Sequence, residues 1–418
     1  MRKLTAVLLI GALGLAACGK KNSGETAAQE SLSYRSSWGA AEPQAKIIKT
    51  LFDDFAKETG AKVDLKFVGR TGNENLNAEM ASGQGPDLFD TTTGDIETLT
   101  AQNLISPLGD VEAAQVPGEG KTVKDVLPEP VRRASSGKNG LAYLPHTIIS
   151  TAVWYNAAEH PGLNPQTWEE FIAFLDESKK AGRTPIGQDG TIAFYNVFWF
   201  YSLLVGANGA GSLAELAKDP ANWDKPQVLD AAEKVEQLAK GGYLQRDFMA
   251  TKFPAAQNAW AQGTYDLNIN GTWLASEVQP QLTPGFKVAS FQVPAGGKKS
   301  IEVGTLGWAV NAKGKNVATA KKFLAFALQK KYMEQFSTVA LNIPSRGDVP
   351  APAHMADVQK AVLEAKETHL SYDYAGADKT WWGDMFLPLS DKLISGKIDA
   401  ATFIREGKKR TADHLANG

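Results

Sequence analysis

The chain has 418 residues and a nearly balanced charge, with 44 lysines and arginines against 46 aspartates and glutamates. No part of it is basic enough to suggest a nucleic-acid partner. The length suffices for two or three domains with buried cores, and the ten tryptophans are a high count.

The N-terminus has the pattern of a secretory signal. Arg2 and Lys3 precede an apolar run, residues 4–17, which ends in small residues. A permanent membrane-spanning helix needs about 20 apolar residues, so this run is too short for one. We expect residues 1–17 to be a signal peptide that is removed, rather than the frayed first helix of a cytosolic protein.

The single cysteine, Cys18, follows this run directly in the sequence LAACG. The stretch resembles the lipobox of bacterial lipoprotein signals, in which the cysteine is joined to diacylglycerol and becomes the new N-terminus. The alternative is an ordinary signal with a chance cysteine. We expect a lipid anchor at Cys18 and a flexible linker over 18–31, with the mature chain on the periplasmic side of a membrane or at the cell surface.

Strand and helix patterns alternate in the next part of the chain. Residues 32–38, 62–68 and 86–90 have strand-like sequences, and helices are predicted over 43–60 and 73–81. The first helix begins with a proline and ends with a glycine, as helices prefer. This βαβαβ order predicts an α/β fold with a mostly parallel sheet, whose ligands sit at the carboxyl ends of the strands.

The middle of the chain is mainly helical, from residue 168 to residue 250. Its first helix, 167–182, begins with a threonine and a glutamate three residues later, which is a capping box. Further helices are predicted over 228–243, 317–336, 353–367 and 384–395, and strands over 264–271, 286–293 and 304–312.

Several segments, taken in order, carry a family resemblance. They include GPDLFDTTTGDIETLTAQNLISPL, LPHTIISTAVWYN, WAQGTYDLNINGTW and EVGTLGWAVNAKGKNVATAKKFLAFAL. The chain resembles the extracellular solute-binding proteins of ABC-type importers, in particular the carbohydrate-binding group that includes maltose-binding protein. The resemblance covers nearly the whole mature chain.

The resemblance implies a two-lobe fold, in which each lobe is a mostly parallel sheet flanked by helices and the ligand cleft lies at the hinge. We expect lobe one to comprise 31–147 plus 265–308, and lobe two to comprise 148–264 plus 309–418. The resemblance further implies a monomer that closes on a carbohydrate and then docks on the membrane subunits of an ABC permease.

Sugar binding requires flat aromatic faces for the C–H surfaces and short polar groups for the hydroxyl rim. The resemblance, with this chemistry, singles out five tryptophans and one acidic residue as ligand contacts: Trp38, Trp199, Trp273, Trp308, Trp382 and Glu42. The alignment with the family is one residue loose near Trp382, so Trp381 is the alternative contact there. Core packing is the alternative role for each of these tryptophans, and it is the role we expect for four others: Trp154, Trp168, Trp223 and Trp260.

Five further polar residues are predicted to contact the ligand: Asp90, Thr91, Asp95, His146 and Asn196. The loop that holds the first three departs from the family pattern, which has a tryptophan and an aspartate there. In this chain Thr91 and Gly94 occupy the approximate equivalents, so the identity of the sugar stays open.

Other functions fit parts of the sequence. A lipid-anchored glycoside-active enzyme would also place aromatics and carboxylates in a cleft, but no nucleophile motif such as G-x-S-x-G or H-E-x-x-H is present. A polyamine receptor would require several acidic cleft groups. An iron receptor would require paired tyrosines, for which Tyr372 and Tyr374 are a weak indication. We expect no enzymatic activity, no cofactor and no bound metal.

Overall fold

The computed structural model describes residues 30–69, 72–370 and 380–417. The predicted signal peptide, Cys18 and nearly all of the linker therefore lie outside the described residues, as do Tyr372 and Tyr374.

The described residues form strands and helices in alternation. The strands are β1 (Ser31–Ser36), β2 (Lys62–Phe67), β3 (Leu88–Thr92), β4 (Ser136–Gly137), β5 (Gly140–Leu141), β6 (Leu144–Ile149), β7 (Thr151–Asn156), β8 (Thr184–Ile186), β9 (Tyr265–Gly271), β10 (Val288–Phe291), β11 (Ile301–Glu302), β12 (Gly304–Val310), β13 (Ile343–Pro344) and β14 (Thr368–His369).

The α-helices are α1 (Pro43–Thr59), α2 (Leu76–Ala81), α3 (Ile96–Ala101), α4 (Gly109–Ala113), α5 (Val123–Val126), α6 (Glu129–Ala134), α7 (Trp168–Lys180), α8 (Ala193–Asn196), α9 (Phe198–Asn208), α10 (Ala214–Lys218), α11 (Pro226–Gly241), α12 (Ala255–Ala261), α13 (Leu274–Val278), α14 (Val317–Ala327), α15 (Lys330–Thr338), α16 (Ala356–Glu364), α17 (Leu387–Ile394) and α18 (Ala400–Asn417). A π-helical turn, Trp381–Phe386, leads into α17.

The first sheet has the strand order β13-β6-β12-β3-β1-β2. Its strands β1, β2 and β3 run parallel, whereas β12 runs antiparallel to both β3 and β6. In β1, buried Leu32, Tyr34 and Ser36 alternate with partly exposed residues, the period of two that a strand requires. The predicted first helix is confirmed as α1, which begins at Pro43 and is capped by Gly60 with a φ of 75°.

Aromatic side chains form the core beneath this sheet. Phe52 of α1 stacks between Tyr34 and Phe323, with ring centroids 5.1 and 4.0 Å apart. Trp308 of β12 lies against Phe323 at 6.0 Å. Since Phe323 belongs to α14, that helix packs in the first lobe.

The second sheet has the order β10-β7-β9-β8. Strands β7 and β9 are antiparallel, as are β7 and β10, whereas β8 runs parallel to β9. Its core contains Phe200, Phe386 and Phe403, and the Phe200 ring lies 5.0 Å from Phe403 and 5.8 Å from Phe386. The structure thus has the two α/β lobes that the sequence predicted, but their sheets are mixed, because three of five strand pairs in the first and two of three in the second are antiparallel. The predicted βαβαβ pattern covered only β1, β2 and β3, which are parallel.

The composition of the lobes differs from the expected division. Strand β9 was expected in lobe one, but it pairs with β7 and β8 in the second sheet. Helices α14 and α15 were expected in lobe two, but their aromatic residues belong to the core of the first sheet. Strand pairing decides lobe membership, and the local sequence pattern does not contain that information.

The hinge lies where the chain passes directly from one sheet to the other. Strand β6 of the first sheet ends at Ile149 and β7 of the second begins at Thr151, with Ser150 between them. The backbone amide of Thr272, which follows β9, donates a hydrogen bond to the carbonyl of Ser150 at 2.9 Å. The end of β9 is therefore tied to the crossing between the two lobes.

Candidate functional site

The carboxyl ends of the parallel strands in both sheets meet at the hinge. In the first sheet, β12 runs antiparallel, so Leu306 near its start pairs with Thr92 at the end of β3, and Gly304 pairs with Ile149 at the end of β6. In the second sheet, the end of β9, Gly271, pairs with the first residue of β7, Thr151. The two edges thus face each other across Ser150, and we call the space between them the gap. Ligands of such sheets bind at these edges.

Solvent access separates the ten tryptophans, all of which lie in the described residues, into two groups. Seven are buried: Trp154, Trp168, Trp199, Trp223, Trp260, Trp308 and Trp381. Three are partly exposed: Trp38, Trp273 and Trp382. Trp38 follows the end of β1 and Trp273 follows the end of β9, so these indoles stand on the two opposing edges.

Trp273 is held over the end of its strand by close packing. A Cβ atom at Gly271 would collide with the indole ring, so this position requires glycine. The Phe194 ring lies parallel to the indole, with centroids 6.5 Å apart and 16° between the planes. Trp382, in the π-helical turn, stacks on Phe386 at 5.4 Å. Both tryptophans pack against the core of the second lobe and keep part of their surface accessible.

The loop that carries Trp38 is fixed by a buried carboxylate. Asp90 accepts hydrogen bonds from the Ser36 hydroxyl and the Ser37 amide, each at 2.8 Å, and from the Tyr34 hydroxyl. Burial, together with the neighbouring Asp90 charge, raises the pKa of Tyr34 well above its usual value. Asp90, predicted as a ligand contact, therefore has its oxygens engaged by the protein and supports the loop.

Three other predicted contacts also hold turns. Asp95 is exposed and accepts from the Thr92 amide at 3.1 Å and the Thr92 hydroxyl at 2.8 Å, which caps the turn after β3. The buried Thr91 hydroxyl reaches the same carboxylate at 3.4 Å. Glu42 accepts from the Gly39 amide at 2.9 Å before α1.

Trp199 lies in the core of the second lobe, contrary to the prediction of a cleft position. Its side chain is fully buried, and its indole N–H donates to Gln188 Oε1 at 3.1 Å. Helix α9 is largely apolar and most of its side chains are buried, and the enclosed Trp199 offers no face to a ligand.

Trp308 and His146, also predicted as contacts, lie in the core of the first lobe. Both side chains are fully buried, with ring centroids 4.5 Å apart, and His146 stacks on Phe336 at 4.7 Å. Burial lowers the pKa of His146 to about 3. Both predictions are wrong for this conformation, because the two residues point into the packed side of the sheet.

Asn196 joins two elements of the second lobe and does not face the gap. Its amide donates to the Gly190 carbonyl at 2.9 Å and to Asp391 Oδ1 at 2.8 Å, while its oxygen accepts from Gln188 at 2.6 Å. These bonds hold α8, which carries Phe194, against α17.

Sequence reasoning missed the aromatic residues beside Trp273. Phe194 stacks on it, and the adjacent Tyr195 ring lies 6.5 Å from Phe253, which is 43% exposed. Burial raises the pKa of Tyr195 to about 12. The available signal was the pair Phe194-Tyr195 after a glycine-containing turn, but the surrounding apolar run resembles an ordinary buried helix.

One cluster has the composition of a metal site. Glu159, His160 and Asp266 place potential ligand atoms within 4.8 Å of one another. Arg183, however, already pairs with Asp266 and with Glu159, the latter at 2.9 Å. The guanidinium occupies the position that a cation would take, so the cluster is an ion-pair network.

Within residues 30–69, 72–370 and 380–417, none of the helices is long and apolar enough to span a bilayer.

Comparison with known proteins identifies relatives that align with much of this chain. The family model described as "Bacterial extracellular solute-binding protein" matches residues 39–334. A "Probable sugar-binding periplasmic protein" of Rhizobium meliloti is 23% identical over 88% of this chain and 87% of its own length. A "Multiple sugar-binding protein" of Streptococcus mutans is 26% identical, in an alignment that spans 47% of this chain and about half of the relative, 51%.

Solved structures share the fold at low sequence identity. A chitin oligosaccharide binding protein superposes with a TM-score of 0.71 at 22% identity, covering 92% of this chain and 98% of that one. A cyclo/maltodextrin-binding protein complexed with maltotetraose has a TM-score of 0.72 at 18% identity, covering 93% and 97%. These similarities establish the two-lobe arrangement.

Proposed function

We propose, from the premise that this chain belongs to the family of bacterial extracellular solute-binding proteins, that it is the carbohydrate receptor of an ABC-type importer. The observation that carries the proposal is the distribution of exposed indoles. The three tryptophans that keep accessible surface are Trp38, Trp273 and Trp382. All three belong to the set expected to stack on sugar, and Trp38 and Trp273 stand on opposite edges of the gap.

The chemistry of the gap agrees with a neutral, polyhydroxylated ligand. Indole and phenyl faces supply contact area for C–H surfaces, and the Phe194 ring, parallel to the Trp273 indole, supports that indole on one side of the gap. The names of the relatives refer to sugar binding, which supports the same ligand class. Binding without chemical conversion, delivery to membrane permease subunits and a monomeric state are part of the proposal.

The location of the protein completes the proposal. The family is extracellular by its description, and the LAACG sequence supports an anchor through Cys18. Residues 18–31 would then connect the lipid to the folded body, which keeps the receptor near its permease.

A ligand panel tests the function. The mature chain is titrated with mono- and oligosaccharides, a polyamine and Fe(III), while tryptophan fluorescence and thermal stability are recorded. We expect saturable fluorescence change and a raised melting temperature with at least one carbohydrate, since a ligand stabilises the state it binds. The sugar should be recovered intact after hours of incubation. Saturation by only a polyamine or Fe(III), or conversion of the sugar to product, would refute the proposal.

A further inference from the structure

A second cavity lies in the second lobe, away from the tryptophans of the gap. Its volume is about 510 Å³, within the range of about 300–1,000 Å³ typical of small-molecule sites. Its walls come from β7, β10, α9 and α16, with the loop before α7 and the segment that contains β11. Trp38, Trp273 and Trp382 are not among its lining residues.

Polar atoms without protein partners line this cavity. The Ser290 hydroxyl is one: the residue is only 6% exposed, and its Oγ forms no hydrogen bond with any described residue. The amide nitrogen of Gln292, two residues further along, is likewise buried and unpaired within the described chain. Buried polar groups without partners are costly, and they are rare in folded proteins. Two such groups on one cavity wall indicate a bound molecule or ordered water.

The charges of the lining residues restrict what can bind. Glu302 is 6% exposed and Asp357 stands on α16, so two carboxylates line the cavity. Lys299 is the single lysine or arginine among the lining residues, and burial lowers the pKa of the lining His369 to about 3. Anions are therefore disfavoured. A simple cation is also unsuitable, because it offers no acceptor to the Gln292 amide N–H. Each hydroxyl group both donates and accepts, so an uncharged polyol can satisfy Ser290 and Gln292 together.

We propose that this cavity is a binding site for a small uncharged polyol of monosaccharide size, separate from the gap between the lobes. Ser290 and Gln292 bind its hydroxyls through their free polar atoms. The site belongs to the second lobe and its adjoining connections, so it does not depend on the proposed function of the gap.

The free hydroxyl of Ser290 allows a clean test. Because Oγ has no partner among the described residues, Ser290→Ala removes no protein hydrogen bond and should leave the melting temperature unchanged. Ser390 is the matched control: it is 1% exposed, its Oγ is also without a described partner, and it does not line the cavity. Gln292→Leu provides a second variant of similar side-chain size.

The experiment measures binding of myo-inositol and glycerol to the mature chain by saturation-transfer difference NMR. We expect saturable binding of at least one polyol that persists in Trp273→Ala and Ser390→Ala. Ser290→Ala and Gln292→Leu should each weaken the affinity for the polyol by about three- to tenfold, which corresponds to the loss of one hydrogen bond. Absence of binding to the unaltered chain, loss of binding in Trp273→Ala, or no effect of either cavity variant would overturn the proposal. A gap that binds no sugar would leave this result intact, so the two proposals fail separately.

Discussion

The carboxylate of Asp90 accepts a hydrogen bond from the backbone amide of Ser37 at 2.8 Å, and this bond ties the end of β3 to the loop after β1. The same carboxylate binds the hydroxyls of Ser36 and Tyr34. Trp38 is the next residue of that loop. A residue that does not face the gap therefore determines where one of its walls stands.

Replacing Asp90 should affect both stability and ligand binding. In Asp90→Ala, three donors lose a charged acceptor, and the hydroxyls of Tyr34 and Ser36 are left buried without it. We expect the free energy of unfolding to fall by about 3 kcal/mol or more, measured by urea denaturation. The control is Asp125→Ala, because Asp125 accepts from the amide and hydroxyl of Thr122 at an exposed turn. That change should lower the free energy of unfolding much less, because water can replace the carboxylate at an exposed turn. Equal losses in the two variants would contradict a special role for Asp90.

Trp273 should contribute to sugar affinity through its ring face. We expect Trp273→Ala to weaken binding at least tenfold in isothermal titration calorimetry, because the flat contact surface is lost. Trp273→Phe should retain much of the affinity, since it keeps a ring. Leu415→Ala, at an exposed position of the C-terminal helix, serves as the surface control. Equal affinities of the unaltered chain and Trp273→Ala would exclude the indole from the site.

The buried histidine His146 should make stability depend on pH. Its pKa is about 3 in the folded chain and about 6.5 when unfolded, so between these values only the unfolded chain binds the proton. The free energy of unfolding should then fall as the pH drops below about 6.5, by up to about 1.4 kcal/mol per pH unit from this group. In His146→Phe, the contribution of His146 to the pH dependence of the free energy of unfolding disappears. Burial also lowers the pKa of His369 to about 3, so the free energy of unfolding of His146→Phe should still decrease somewhat as the pH falls. Identical pH slopes in both proteins between pH 5 and 6.5 would contradict the assignment.

The ion-pair network around Asp266 should stabilise the second lobe. The Asp266 side chain is fully buried and binds Arg183, His160 and Ser178. Asp266→Asn leaves the half-exposed guanidinium with a weaker partner, and we expect a loss of about 2 kcal/mol in thermal or urea unfolding. Glu159→Gln is the matched control, because Glu159 is 40% exposed and surface pairs contribute about 0–1 kcal/mol. If the two losses were equal, burial would not be the source of the stabilisation.

Lipid attachment can be tested at Cys18. In a bacterial host with lipoprotein processing, the unaltered chain should be recovered with membranes, and mass spectrometry should find a diacylglycerol-modified N-terminal cysteine. Cys18→Ser should release the chain into the soluble envelope fraction, because the thioether can no longer form. Membrane association that persists in Cys18→Ser would contradict the anchor.

Local patterns predicted the elements that carry the site. The proline and glycine that bound α1 and the alternation in β1 gave both elements within a few residues. Of the five tryptophans predicted to contact the ligand, Trp199 and Trp308 are buried, whereas Trp38, Trp273 and Trp382 are partly exposed, and ligand contact by these three stays a prediction. These three residues follow strand ends or lie in a turn, where a large side chain is readily left partly exposed.

Other features depend on tertiary packing that the sequence does not display. Trp199 lies in a largely apolar helix, which in itself indicates burial, but the family resemblance favoured a cleft position. Strand β9 was assigned to the wrong lobe because its partners, β7 and β8, are distant in sequence. The role of Asp90 depends on a hydrogen bond to Ser37, 53 residues away, which no local pattern predicts.

The most direct test of the central claim is a crystal structure of the mature chain with a carbohydrate identified by the ligand panel. We expect an intact sugar between the two strand edges, with one ring stacked on Trp273 and contacts from Trp38 or Trp382. An intact sugar bound elsewhere, with all three indoles free of contact, would contradict it.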